Sequence, residues 1–202
     1  MAKIKHTKNE LKSQRDALRR YTRYLPTLQL KKQQLQLEVR QIEVRLEQKE
    51  AEEQQLKNSL QSWVRLFSEP VDLSAYLQLE AADVTWGNIA GVNIPVLQDL
   101  VLRKTMPDLF MTDPWVDDAL KVLESLIRLR VECRILAEQK RLVAEELRTT
   151  TQRVNLFERV KIPESQENIR VIRIFLGDLM TSEVARAKIA KGKTVERLRS
   201  SA

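Results

Sequence analysis

The chain has 202 residues, of which 31% are charged and only 5% aromatic, with four glycines and a net charge of +7. Scarce glycine and aromatic residues among abundant Leu, Glu, Gln, Lys and Arg argue against a sheet-rich globule and for long helices or coiled coil. The basic balance suits an acidic partner: nucleic acid, a membrane surface or an acidic protein.

The opening MAKIKHTKNELK lacks the apolar core of a secretory signal. No run approaches the ~20 apolar residues of a membrane span. The one cysteine, Cys133, cannot form an intrachain disulfide. The expectation is a cytoplasmic chain.

From Leu11 a seven-residue repeat is visible. One seam reads Leu11, Leu18, Leu25, Lys32, Val39, Leu46, Glu53, Leu60, Phe67. Its companion reads Gln14, Tyr21, Leu28, Leu35, Ile42, Lys49, Leu56, Trp63. A 3.5-residue period sustained this long predicts a left-handed coiled coil. Pro26 conflicts with it and predicts a kink or a new helix start.

Between residues 70 and 114 the helical period is lost, and Pro70, Pro95, Pro107, Pro114, Gly87 and Gly91 fall there. DVTWGNIAGVNIPV alternates loosely around a glycine-containing turn, which predicts a short hairpin or loop. Trp63, Phe67, Tyr76, Trp86, Phe110 and Trp115 gather near it, enough to pack a small head.

Heptads resume with Val122, Leu126, Leu129, Cys133, Leu136, Lys140, Val143, Leu147, Thr150, Val154 and Phe157, and continue after Pro163 with Ile169, Ile172, Leu176 and Leu179. Two helical arms flanking one insertion predict an all-α fold: a long antiparallel two-helix coiled coil with a small head at the bend. The expected segments are an N-terminal arm at 1–69, a head at 70–118 and a C-terminal arm at 119–202. Pairing outward from the bend places residue 11 near residue 174, so the last ~25 residues extend beyond the partner arm.

Charge follows this layout. Residues 1–35 hold ten Lys/Arg against Glu10 and Asp16, and residues 182–202 hold six against two acids. Residues 68–118 hold nine acids against Arg103 and Lys104. The terminal tip is therefore expected to be basic and the head acidic.

Catalytic signals are thin, and no cofactor or metal is expected. His6 is the only histidine, too little for a His-based metal cluster or triad. Cys133 falls on the apolar seam and reads as a small core residue. AKGKT, Ala190 to Thr194, ends like a phosphate loop, but Ala187 stands where the first glycine is needed and the flanking pattern is helical.

The stretch LRTTTQRVNLFERVKIP, Leu147 to Pro163, spends Thr and Asn where better helix formers are available. It reads either as a coil loosened before a kink at Pro163 or as a polar patch facing a partner protein. The candidate partner-binding residues are Thr150, Gln152, Arg153 and Asn155, with Arg186, Lys188, Lys191 and Lys193 at the basic end.

TTTQRVNLFERVKIP (Thr149 to Pro163), NIAGVNIPV (Asn88 to Val96) and TKNELKSQRDAL (Thr7 to Leu18) resemble motifs of the D-subunit family of V-type (archaeal and bacterial A/V-type) rotary ATPases. The likeness covers nearly the whole chain. It implies a non-catalytic central-stalk shaft in a hexamer of A and B subunits, paired with the small F subunit and standing on the membrane rotor through the C subunit (d in eukaryotes). Such a chain sits at the membrane periphery as part of its complex, with no nucleic-acid partner and no direct membrane insertion. The alternative from the residues alone is a basic coiled-coil protein binding nucleic acid or anionic membrane through its terminal tip.

Overall fold

The computed structural model describes residues 4–60, 73–108 and 112–200, the side chains of 196–200 excepted. In chain order it has α1 (Lys8–Leu60), a 3-10 turn (Leu73–Ala75), β1 (Leu77–Ile89), β2 (Val92–Lys104), α2 (Trp115–Leu156), a π turn (Phe157–Lys161) and α3 (Ile162–Ser200). Two compact units emerge: Lys31–Thr150, and Met1–Leu30 with Thr151–Ala202.

Local chemistry accounts for the helix bounds. Thr7 caps α1, its hydroxyl accepting from the Glu10 N–H at 3.2 Å, and Thr7 with Glu10 has the spacing of a capping box. Pro26 lies inside α1, and no new helix starts there. One proline in a helix interior costs about 3 kcal/mol; a helix of 53 residues rich in Leu, Gln, Glu and Lys absorbs it. Asp117 and Asp118 lie in the first turn of α2, where negative charge suits the helix dipole.

In the Lys31–Thr150 unit, α1 and α2 run antiparallel, and the partners of their ion pairs fix the register. Lys31 meets Glu146 at 2.7 Å, Glu43 meets Lys140 at 3.1 Å, Lys49 meets Glu132 at 3.2 Å and Glu53 meets Arg130 at 3.1 Å. β1 and β2 form an antiparallel hairpin. Its turn is Ala90-Gly91, both at positive φ (51° and 84°), the geometry that two-residue hairpin loops require. Asn88 Oδ1 accepts from the Gly91 N–H at 3.0 Å and braces that turn.

The hairpin corrects the all-α expectation: the chain is mostly helical but carries a two-stranded sheet, with 13 residues in each strand. It packs on the helices. Ile94 joins Leu35, Ile42 and Val143 in one buried cluster, with Ile89, Val92 and Val96 against it. The Gln139 side-chain amide donates to the Pro95 carbonyl, and Lys104 pairs with Glu124 at 2.7 Å. Trp86, expected among the aromatics of a head, is instead 73% exposed and stands opposite Pro95. Strand alternation explains this, because Gly87 faces Ile94 and Val96 and so Trp86 points away. Trp63, Phe67, Pro70 and Phe110 lie outside the described residues.

In the other unit, residues of α1 up to Leu30 lie antiparallel to the chain after Thr151. Tyr21 meets Phe157 with ring centroids 5.0 Å apart, and His6 meets Phe175 at 4.8 Å. Between them Asn168 donates to Gln14 at 3.4 Å. Among its described residues, Val154, Ile169 and Ile172 are the buried apolar ones. From Gly177 to Val195 every residue is exposed.

Candidate partner-binding surfaces

The polar stretch Thr149 to Asn155 ends α2. Thr150 is 1% exposed, and its hydroxyl has no hydrogen-bond partner among the described residues. Gln152, Arg153 and Asn155 are exposed, while Val154 between them is buried. Helical periodicity makes this split, since Thr150 and Val154 are four residues apart on one face.

The chain does not break at Pro163. Phe157–Lys161 widen into a π turn, in which the Ile162 N–H donates to the Phe157 carbonyl. Proline has no N–H and its ring crowds the carbonyl four residues back, here that of Arg159. A wider turn just before Pro163 relieves that crowding. Single π turns inside long helices occur frequently at functional sites.

Arg186, Lys188, Lys191 and Lys193 lie on the exposed part of α3, and none is ion-paired among the described residues. Leu179, Met180, Val184 and Ile189 are exposed on the same stretch. Ala190 to Thr194 are helical, so AKGKT forms no phosphate loop.

A cleft of about 800 Å³ opens between α1 and α3. α1 supplies Lys8, Leu11, Lys12, Arg15, Asp16, Leu18 and Arg19; α3 supplies Gln166, Ile169 and Arg173. Leu11, expected near residue 174, shares this cleft with Arg173. The sequence marks Lys3 to Arg23 as basic, but Arg173 carries no signal there. Its membership depends on which α3 residues face α1.

Electrostatics differ in the Lys31–Thr150 unit. The Lys57 ammonium, and then Arg130, hold the Glu53 carboxyl below its usual range. Lys104 does the same for Glu124. Burial, followed by the carboxylates of Glu53, Glu50 and Glu132, pushes the Cys133 thiol up. A thiol held protonated is a poor nucleophile. Among the described residues no helix is long and apolar enough to cross a membrane.

As a class, this is a helical protein whose distinctive chemistry lies in polar and cationic side chains displayed along helix surfaces. The chain belongs to the ATP synthase D-subunit family, whose model matches residues 10–192. It is 44% identical over 201 residues, all of both chains, to the V-type ATP synthase D subunit of Borreliella burgdorferi. It is 32% identical over 199 residues to that of Chlamydia caviae, covering 97% of this chain and 96% of the relative. For Chlamydia muridarum the identity is 34% over 195 residues, covering 95% and 96%.

Proposed function

We propose that the protein is the central-stalk shaft of a V-type rotary ATPase or ATP synthase, with no active site of its own. The observation that carries this reading is the end-to-end match, at 44% identity, to a V-type ATP synthase D subunit. The architecture supports it. Long helices packed against one another within each unit suit an element that transmits torque.

On this reading the basic residues at the two ends of the chain enter a hexamer of alternating A and B subunits. The small F subunit and the rotor adaptor, the C subunit (d in eukaryotes), bind elsewhere on the stalk. The complex lies at the cytoplasmic face of the membrane. Each catalytic interface grips a different face of the shaft, so that rotation biases the discrete states of those interfaces in turn. That is coupling between distinct sites through a common moving element. Gln152, Arg153 and Asn155 form a partner-facing patch.

Affinity purification of the tagged chain from its native cells tests the reading. Stoichiometric A and B subunits, a small F-like partner and ATPase activity should co-elute. Recovery of the chain alone, or with nucleic acid that leaves at high salt, would overturn it. Arg153→Ala with Asn155→Ala should lower coupled ATPase activity severalfold while far-UV circular dichroism of the chain is unchanged. Full coupled activity in that variant would remove the patch from the mechanism.

A further inference from the structure

We propose that the cleft between α1 and α3 receives an acidic amphipathic helix of a partner protein. Its walls and floor repeat with a seven-residue period: Lys8, Leu11 and Lys12 recur as Arg15, Leu18 and Arg19. Such a repeat of cation, leucine and cation presents an apolar seam flanked by positive charge over two heptads. This is the complement of a helix with apolar residues at one heptad position and carboxylates beside them. Arg173 adds a cation from the opposite side, and Asp16 is the one carboxylate of the lining.

The charge is also uncommitted. Cations in the Lys31–Thr150 unit repeatedly meet a carboxylate, as Lys31, Lys49, Lys104, Arg130 and Lys140 do. Among the described residues, Lys8, Lys12, Arg15, Arg19 and Arg173 meet none within ion-pair distance. Five cations around an apolar floor thus keep their full demand for a counter-charge.

The size and shape of the cleft favour a helix over other anions. From Lys8 to Arg19 the lining runs roughly 16 Å along α1, about three turns of an opposing helix. A phosphate group is held by donors converging on one point, whereas these cations are strung along an axis. A bound phosphate chain would also leave the half-buried Leu11 and Leu18 without apolar cover. The lining holds no aromatic side chain on which bases could stack. The proposal does not depend on which assembly the chain joins.

The test uses the full chain and a fluorescent two-heptad peptide with Leu on the seam and Glu at the flanking positions. Fluorescence anisotropy should show binding that weakens as salt is raised from about 50 to 300 mM, with a gain in peptide helicity by circular dichroism. The same peptide with Gln for Glu should bind at least about tenfold more weakly, because several charge pairs of modest individual worth are lost together. Lys12→Glu with Arg19→Glu should lose a similar factor, and the milder Lys12→Gln with Arg19→Gln a smaller one. Arg45→Glu with Arg134→Glu, two exposed positions of the Lys31–Thr150 unit, should leave binding unchanged.

Equal binding of the Gln peptide would overturn the proposal, as would indifference to both Lys12/Arg19 variants. So would inorganic triphosphate or duplex RNA binding more tightly than the acidic peptide with the same Lys12/Arg19 dependence. Those results would make the cleft a phosphate or nucleic-acid site instead. Failure of the peptide to bind while A and B subunits still co-purify with the chain would sink this inference alone.

Discussion

In Lys31–Thr150, four ion pairs cross from α1 to α2 and a fifth, Lys104 with Glu124, ties the hairpin to α2. In the unit formed by Met1–Leu30 and Thr151–Ala202, the ion pairs among the described residues are Lys161 with Glu164 and Arg170 with Glu167, each within one turn of a single helix. The contrast separates two uses of charge. Partly exposed pairs are individually worth about 0–1 kcal/mol, so the first set does more to fix register and orientation than to stabilise. Apart from Lys161 and Arg170, the second unit leaves its described cations unmatched, and unmatched surface charge is available to a partner.

The apolar cores offer the largest test of this contrast. Ile42 is 1% exposed and joins both helices to Ile94 of the hairpin. Ile42→Ala should cost about 2–5 kcal/mol, read as a shift in the denaturant midpoint, and should speed hydrogen exchange in β2. Ile172→Ala, in the other unit, removes an equally buried side chain and should cost a similar amount with little change in hairpin exchange. Equal loss of hairpin protection in both variants would show that the two units do not respond separately.

Acid should weaken the ion-paired unit next. Glu53 and Glu124 are held below the ordinary 4.5 by Lys57 with Arg130 and by Lys104. Because their folded values are depressed, the stability they contribute is fully present above the unfolded value and is lost as pH falls through the folded ones. The melting temperature should therefore be nearly flat from neutrality to about pH 5 and decline below it. Glu53→Gln should make that decline shallower; an unchanged slope would show that the Glu53 pairs contribute nothing.

The smallest expected effect lies at the hairpin turn and is a gain. Ala90 sits at φ 51°, a left-handed conformation that disfavours a β-carbon. Ala90→Gly should stabilise the chain by up to about 1 kcal/mol, since relief of roughly 1–2 kcal/mol of strain is partly offset by glycine's greater unfolded freedom. A destabilised variant would mean that the methyl group contributes more through its packing against the Leu35–Ile42 cluster.

Much of this was legible in the sequence. The heptads named Leu35, Ile42, Val143, Val154, Ile169 and Ile172, all buried, because a 3.5-residue period reports directly which helix face is covered. The Asp83 to Val96 stretch, loosely alternating around a glycine-containing turn, pointed to a short hairpin or loop, and a hairpin stands there with Ala90-Gly91 at its turn. Its extent and docking were not legible. Leu77 and Lys104, at the strand ends, are far from the turn signal. Gln139, buried on the Pro95 carbonyl, looks like any polar residue of a coil until a strand lies over it. Trp86 was misplaced because composition counts aromatic residues without saying which face of a strand they occupy. For the partner-binding residues, the repeat separated buried Thr150 from exposed Gln152, Arg153 and Asn155, while Pro163 pointed to a loosened coil before it but not to the π geometry of Phe157–Lys161.

The most direct test of the shaft role is rotation. The full chain, carrying a bead at an added C-terminal tag, would be assembled with surface-fixed A and B subunits and supplied with ATP. The bead should turn in one direction, pausing at three positions per revolution, one for each catalytic interface. A bead that stays still while the same complexes hydrolyse ATP would contradict the shaft reading.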